Sequence, residues 1–124
     1  MKNVTCPYCG KQSRYVDSAV VYGRSYGMIY YCKPCDAYVG VHKGTDQPLG
    51  RLADAQLRYW KKRAHAFFDP IWQSGRFIGR RKAAYEWLAE QLGLHPSKTH
   101  IGMFDVPLCK RVVDIMEKER SKTP

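Results

Sequence analysis

The sequence predicts an α+β chain: a small, cysteine-held sheet of three short antiparallel strands, followed by a three-helix unit. Three observations carry this expectation. Two C-x₂-C pairs, Cys6/Cys9 and Cys32/Cys35, are separated by 22 residues. Segments rich in Val, Ile and Tyr lie between the pairs and just after them. Beyond residue 51 the apolar residues recur at helical rather than alternating spacing.

The cysteine spacing is the most specific of the three. A C-x₂-C pair sits on a tight knuckle, and the span between the pairs is long enough for a hairpin, so four thiolates can meet at one tetrahedral point. Disulfides fit poorly with a fifth cysteine, Cys109, and with first residues that hold no signal-peptide core. A redox C-x-x-C belongs near a βαβ pattern, which is missing. Thiolate softness and geometry then favour one Zn²⁺ on Cys6, Cys9, Cys32 and Cys35, with an iron centre as the nearest alternative. Four protein ligands leave no coordination position open, so this zinc is structural and not catalytic.

Residues 1–44 read as the metal module. Strands are expected over Arg14 to Tyr22, Met28 to Tyr31 and Ala37 to Val41, the first two flanking the glycine-bounded turn Gly23 to Gly27. Thr45 to Gly50 is rich in turn-formers and reads as a joint. Residues 51–120 then form the helical part. One helix is expected from Leu52 to Phe68, with Leu57, Trp60, Ala64, Phe67 and Ile71 inward. Asp69-Pro70 should interrupt it, Asp69 capping a short new turn. A second helix runs from Ile78 to Leu92, with Ile78, Tyr85, Leu88 and Leu92 on one face and Gly93 as its stop. A third is capped by Asp105, carries Pro107 in its first turn and turns Leu108, Val112, Ile115 and Met116 inward, ending in a frayed polar tail. Trp60, Trp72 and Trp87 are expected as core anchors and Cys109 as a buried small hydrophobe.

The net charge of +10 is uneven. Zinc on four thiolates would lower it only to about +8. Residues 51 to 82 hold nine basic and two acidic side chains, whereas residues 83 to 124 hold six of each. Arg58, Lys61, Lys62, Arg63, Arg76, Arg80, Arg81 and Lys82 are therefore the candidate phosphate contacts of a nucleic-acid surface. The plainer account is a solvated face that keeps a small protein dissolved. Tyr8, Tyr15, Tyr22, Tyr26, Tyr30, Tyr31 and Tyr38 could stack unpaired bases or form the ribbon's own sparse core.

His65 and Asp69, four apart, are the weak catalytic candidates together with His100; His42 and Asp105 could also approach them. Such a cluster could hold a divalent metal for phosphodiester cleavage. No nuclease spacing joins these residues, and no phosphate-cradling glycine motif is present, so no small-molecule cofactor is expected. No apolar run is long enough to span a membrane. A soluble protein of a reducing cytoplasm is the expectation.

Several runs together resemble a family of small phage and prophage proteins described as containing a zinc finger. They are Cys6-Pro7-Tyr8-Cys9-Gly10, Tyr31-Cys32 with Cys35, Ala37-Tyr38-Val39-Gly40 and His42, Pro48-Leu49-Gly50 with Leu52-Ala53-Asp54, Arg63-Ala64-His65 with Phe68-Asp69-Pro70 and Trp72, and His100-Ile101-Gly102-Met103-Phe104-Asp105. The resemblance spans nearly the whole chain; it implies a viral origin, hence the host cytoplasm, and a four-cysteine site, but no activity. The expected function is zinc-supported, non-catalytic nucleic-acid binding or adaptor work. The rivals are a protein-binding module that redirects a host enzyme, and a metal-dependent nuclease using His65, Asp69 and His100.

Overall fold

Three antiparallel strands, β1 (Arg14–Asp17), β2 (Met28–Cys32) and β3 (Ala37–Gly40), form one sheet in the order β1-β2-β3. This computed structural model describes residues 3 to 122. It divides into two units, Met1–Gln56 and Leu57–Pro124. The α+β class and the three-stranded ribbon are as the sequence implies.

The first strand is shorter than its β-rich sequence suggests. Asp17 Oδ1 accepts the amide of Ala19 at 2.8 Å, and Ser18 Oγ accepts that of Tyr26 at 2.8 Å. These side chains compete with the ladder for backbone donors. The chain therefore leaves the sheet for one helical turn, α1 (Ala19–Tyr22), which ends on Gly23 at φ +78°.

Residues 45 to 50, read from composition as a joint, instead turn the chain back along β3. Leu49 N donates to Gly40 O at 2.9 Å, and Tyr38 and Ala53 exchange both backbone bonds at 3.0 and 3.1 Å. This return delivers Leu52 to a core made with Cys6, Tyr30, Cys32 and Ala37. Tyr30 is fully buried, and its hydroxyl donates to the Asp46 carbonyl.

The helical unit consists of α2 (Ala55–Phe68, its first two residues in the ribbon unit), the single turn α3 (Pro70–Gln73), α4 (Arg81–Leu92) and α5 (Val106–Ser121). Two 3₁₀ turns, Pro96–Lys98 and Ile101–Met103, connect α4 to α5. Asp105 caps α5 as expected, Oδ1 accepting from Leu108 N at 3.0 Å. The frayed tail expected after it is helical as far as Ser121, and residues 123 and 124 lie outside the described residues. No helix among the described residues is long and apolar enough to cross a membrane.

The buried stripe of α2 is Leu57, Ala64 and Phe68, with Phe67 only half-buried. On α4, Tyr85, Leu88 and Leu92 are buried as read, joined by Ala84 and Ala89. Ile78 is a correction: it precedes α4 and is 63% exposed. Gly79, at φ +73°, bends the chain there while its amide donates back to Trp72 O at 2.9 Å. Asp69 is another correction. Its carboxylate makes no cap; it accepts from the Trp72 indole at 3.2 Å and faces His65 Nδ1 at 3.2 Å. Cys109 is fully buried, as expected of a small hydrophobe.

Phe68 is inaccessible and packs its ring 4.8 Å from that of Tyr85, joining α2 to α4. Truncating such a side chain removes its transfer energy and leaves a cavity. Phe68→Ala should cost about 3–5 kcal/mol of unfolding free energy by denaturant titration, whereas Ile78→Ala should change it little.

Candidate metal centre and candidate nucleic-acid interface

Each knuckle is closed by backbone geometry that brings its two sulfurs round to one side. In the first, Gly10 N donates to Cys6 O at 2.9 Å and Cys6 N to Lys11 O at 2.8 Å, which requires φ +75° at Gly10. In the second, Asp36 N donates to Lys33 O at 3.1 Å, and Asp36 itself takes φ +50°. Glycine and, less readily, aspartate tolerate that left-handed region.

The four sulfurs all lie within 4.8 Å of one another, and Cys9 Sγ is 3.7 Å from Cys32 Sγ. Tetrahedral Zn–S bonds of about 2.3 Å put sulfurs about 3.8 Å apart, so the cluster is already the size of a zinc site. All four cysteines are free thiols. Burial raises the Cys32 thiol above its ordinary value and pushes Cys35 up to about 12, while the backbone amide of Lys11 lowers Cys9. Burial at Cys32 and Cys35 thus favours the neutral thiol, and a divalent ion bound there would displace protons.

Cys6 and Cys32 are also two of the five residues of the ribbon core. The first knuckle is tied to the returning segment as well, since Tyr8 Oη accepts from Asp54 N at 3.1 Å and the Arg51 guanidinium lies over the Tyr8 ring, 5.8 Å from its centroid.

A three-stranded antiparallel sheet whose two knuckles converge four thiols is a zinc ribbon with a site for one structural Zn²⁺. The chain belongs to the family described as a zinc-finger-containing domain, which matches residues 2–119. No curated protein and no solved structure matches it.

The candidate phosphate contacts fall into two sets. On α2, Arg58 and Lys62 share one flank with His65, while Arg63 lies on the other beside Tyr59 and Phe67. Arg63 is surrounded by the rings of Tyr59, Trp60 and Phe67 at 5.7, 5.5 and 5.4 Å, and the Lys61 ammonium donates to Gly102 O.

The second set is denser. Arg76, Arg80, Arg81 and Lys82 are all exposed. Arg76 lies over Phe77 and Trp87 at 5.0 and 4.7 Å, Arg80 over Phe77 at 5.6 Å, and Arg81 over Trp72 and Tyr85 at 5.4 Å each. Arg80 also donates to the Arg76 carbonyl at 3.0 Å, and Glu119 approaches Arg76 at 4.0 Å. A cleft of about 410 Å³ opens beside them, lined by Arg81, Lys82, Tyr85, Glu86, Ser97 and His100. Trp60, Trp72 and Trp87 are thus half-buried rings carrying cations on their faces, where the sequence suggested core anchors.

The catalytic candidates do not converge. His65 and Asp69 form a local pair at the end of α2, whereas the His100 ring packs 5.9 Å from Tyr85. His42 belongs to the turn of residues 42 to 47 in the ribbon unit, and Asp105 is the cap of α5. Among the described residues, the four cysteines are the one group of three or more metal-ligating side chains close enough to hold an ion.

Two outcomes test the centre. Elemental analysis should find one zinc per chain, and Cys32→Ser should abolish it and unfold the sheet while helical circular dichroism persists. Because the buried thiols must lose protons to bind, zinc affinity should tighten as pH rises from 6.5 to 8, by up to about tenfold per unit for each proton displaced; chelator competition reads it.

Proposed function

We propose that the protein is a non-catalytic nucleic-acid-binding module in which zinc holds the ribbon and the helical unit contacts phosphates. One observation carries this reading: Arg76, Arg80 and Arg81 lie within six residues, exposed, each with its guanidinium over an aromatic ring. Stacking orients the planar fork and reduces the rotamer entropy lost when it meets a phosphate. Lys82 and the first turn of α4, which contains no acidic residue, add to the positive potential. The +10 net charge adds long-range attraction to a polyanion.

The motif resemblance supports a phage or prophage origin, and a cysteine set arranged to hold a metal suits the reducing cytoplasm of a host. An origin of this kind would show as transcription that rises on prophage induction. A host-protein adaptor is the rival reading, and a pull-down from lysate with and without nuclease treatment separates the two. Partners lost on nuclease treatment support nucleic acid, while one retained partner supports the adaptor.

The direct test is affinity against salt. Replacing Arg76, Arg80 and Lys82 by Ala should weaken binding uniformly across sequences and reduce the slope of log K against log salt by about 0.9 for each phosphate no longer neutralised. An unchanged slope removes this cluster from the interface.

A further inference from the structure

We propose that the outer face of the ribbon is a stacking platform for the unpaired bases of single-stranded nucleic acid. This deepens the reading above and rests on it, adding which strand state is bound and by which rings.

The strand register gives the sheet two different faces. Tyr15, Tyr30 and Val39 are cross-strand partners on the core side. Alternation places Arg14, Tyr31 and Tyr38 in one row, and Val16, Ile29 and Gly40 in the next, on the opposite side. An outer face of an antiparallel sheet is ordinarily polar. Here α1 and the turn after it lie along that face and lengthen its aromatic row. The Tyr26 ring meets Tyr22 edge-on at 5.6 Å, Tyr22 meets Tyr38 at 5.8 Å, and Tyr38 meets Tyr31 at 6.4 Å. Of the seven tyrosines that the sequence offers for stacking, Tyr30 and Tyr15 serve the core, Tyr8 accepts the Asp54 amide, and Tyr22, Tyr26, Tyr31 and Tyr38 make up the outer row.

The row is open to solvent at its Tyr22 and Tyr26 end, while Tyr31 and Tyr38 are half-buried and Ile29 on the same face is buried. Tyr22 is 52% and Tyr26 69% exposed, and Val20 and Leu49 beside them are exposed as well. Two shallow grooves flank it, one of about 280 Å³ between Arg14, Val20, Tyr31 and Lys33, and one of about 330 Å³ bordered by Tyr22, Tyr26 and Leu49. No carboxylate lines either groove among the described residues. The nearby cations are Arg14, Lys33 and Arg24, whose guanidinium lies 5.5 Å from the Tyr26 ring centroid, and the Asp17 carboxylate, engaged by Ser25 and the Ala19 amide, is an acid at the same edge.

An apolar aromatic surface whose grooves are lined by cations and no carboxylate complements a ligand that offers flat apolar faces on an anionic backbone. An unpaired strand offers both. In a duplex the base faces are used up by stacking on one another, so the rings have nothing to receive. The platform is also built in advance. Ser25 Oγ donates to Asp17 Oδ2 at 2.9 Å, Tyr26 N to Ser18 Oγ at 2.8 Å, and Ser18 N to Gly27 O at 2.9 Å, with Gly27 at φ +107°. These bonds hold the turn that presents Tyr26, so little ordering remains for binding.

The test compares the full-length, zinc-loaded protein with Tyr22→Ala/Tyr26→Ala on three probes: oligothymidylate, a mixed-sequence duplex and heparin. Tyr26→Phe is the ring-preserving control, and zinc content with circular dichroism verifies the fold. The double variant should lose about tenfold or more in oligothymidylate affinity, with duplex and heparin affinities unchanged and Tyr26→Phe close to wild type. Unchanged oligothymidylate affinity, or an equal loss on the duplex, overturns the platform and leaves the helical interface standing. A dimer that the double variant dissolves would also overturn it, assigning the face to self-association. If the unmodified protein binds none of the three probes, the nucleic-acid reading itself falls, and the platform with it.

Discussion

Four thiolates drawn to one point are the constraint on which the ribbon depends. Its core cluster is Cys6, Tyr30, Cys32, Ala37 and Leu52, and two of these would be ligands. A sheet of three strands four or five residues long buries too little apolar surface to offset its chain entropy, so metal binding must supply much of the folding free energy. The thiols' own proton affinity opposes this, because burial favours the neutral form at Cys32 and Cys35. Zinc bound there would reverse that preference and tie the two knuckles together.

How legible these features were in the sequence depended on whether a local rule governed them. The cysteine knuckles, the Asp105 cap and the Gly93 stop follow from residue type at fixed spacing, and each is found. The return of residues 47 to 53 along β3 was hidden because Pro48 and Gly50 punctuate a chain as strongly inside an irregular pairing as in a linker. The choice of Phe68 over Phe67 for the interior was likewise beyond periodicity, since neighbours one residue apart differ by about 100° and both fit a broad stripe. Asp69 preceding a proline is a cap signature, yet an imidazole one turn before it and an indole three residues after it drew the carboxylate away.

The aromatic residues of the helical unit illustrate a second physical theme. Counting charges treats each cation as solvated, but here arginine is repeatedly laid on a ring: Arg63 among three, Arg76 over two, Arg81 over two, and Arg120 over Phe67 at 4.6 Å. The rings lose some exposed apolar area, and the guanidinium keeps its charge while losing freedom. Sequence spacing hints at this only in hindsight, through Arg63 set four residues after Tyr59 and four before Phe67. Trp60, Trp72 and Trp87, all half-buried, follow the same pattern.

The return of residues 47 to 53 also bears on how the polypeptide matures during translation. Both knuckles leave the ribosome before Leu52 and Ala53, so the ion can be captured while the hydrophobic plug that seals the ribbon is still inside the exit tunnel. The nascent clasp would then wait, loaded but uncovered, for its last partner to emerge.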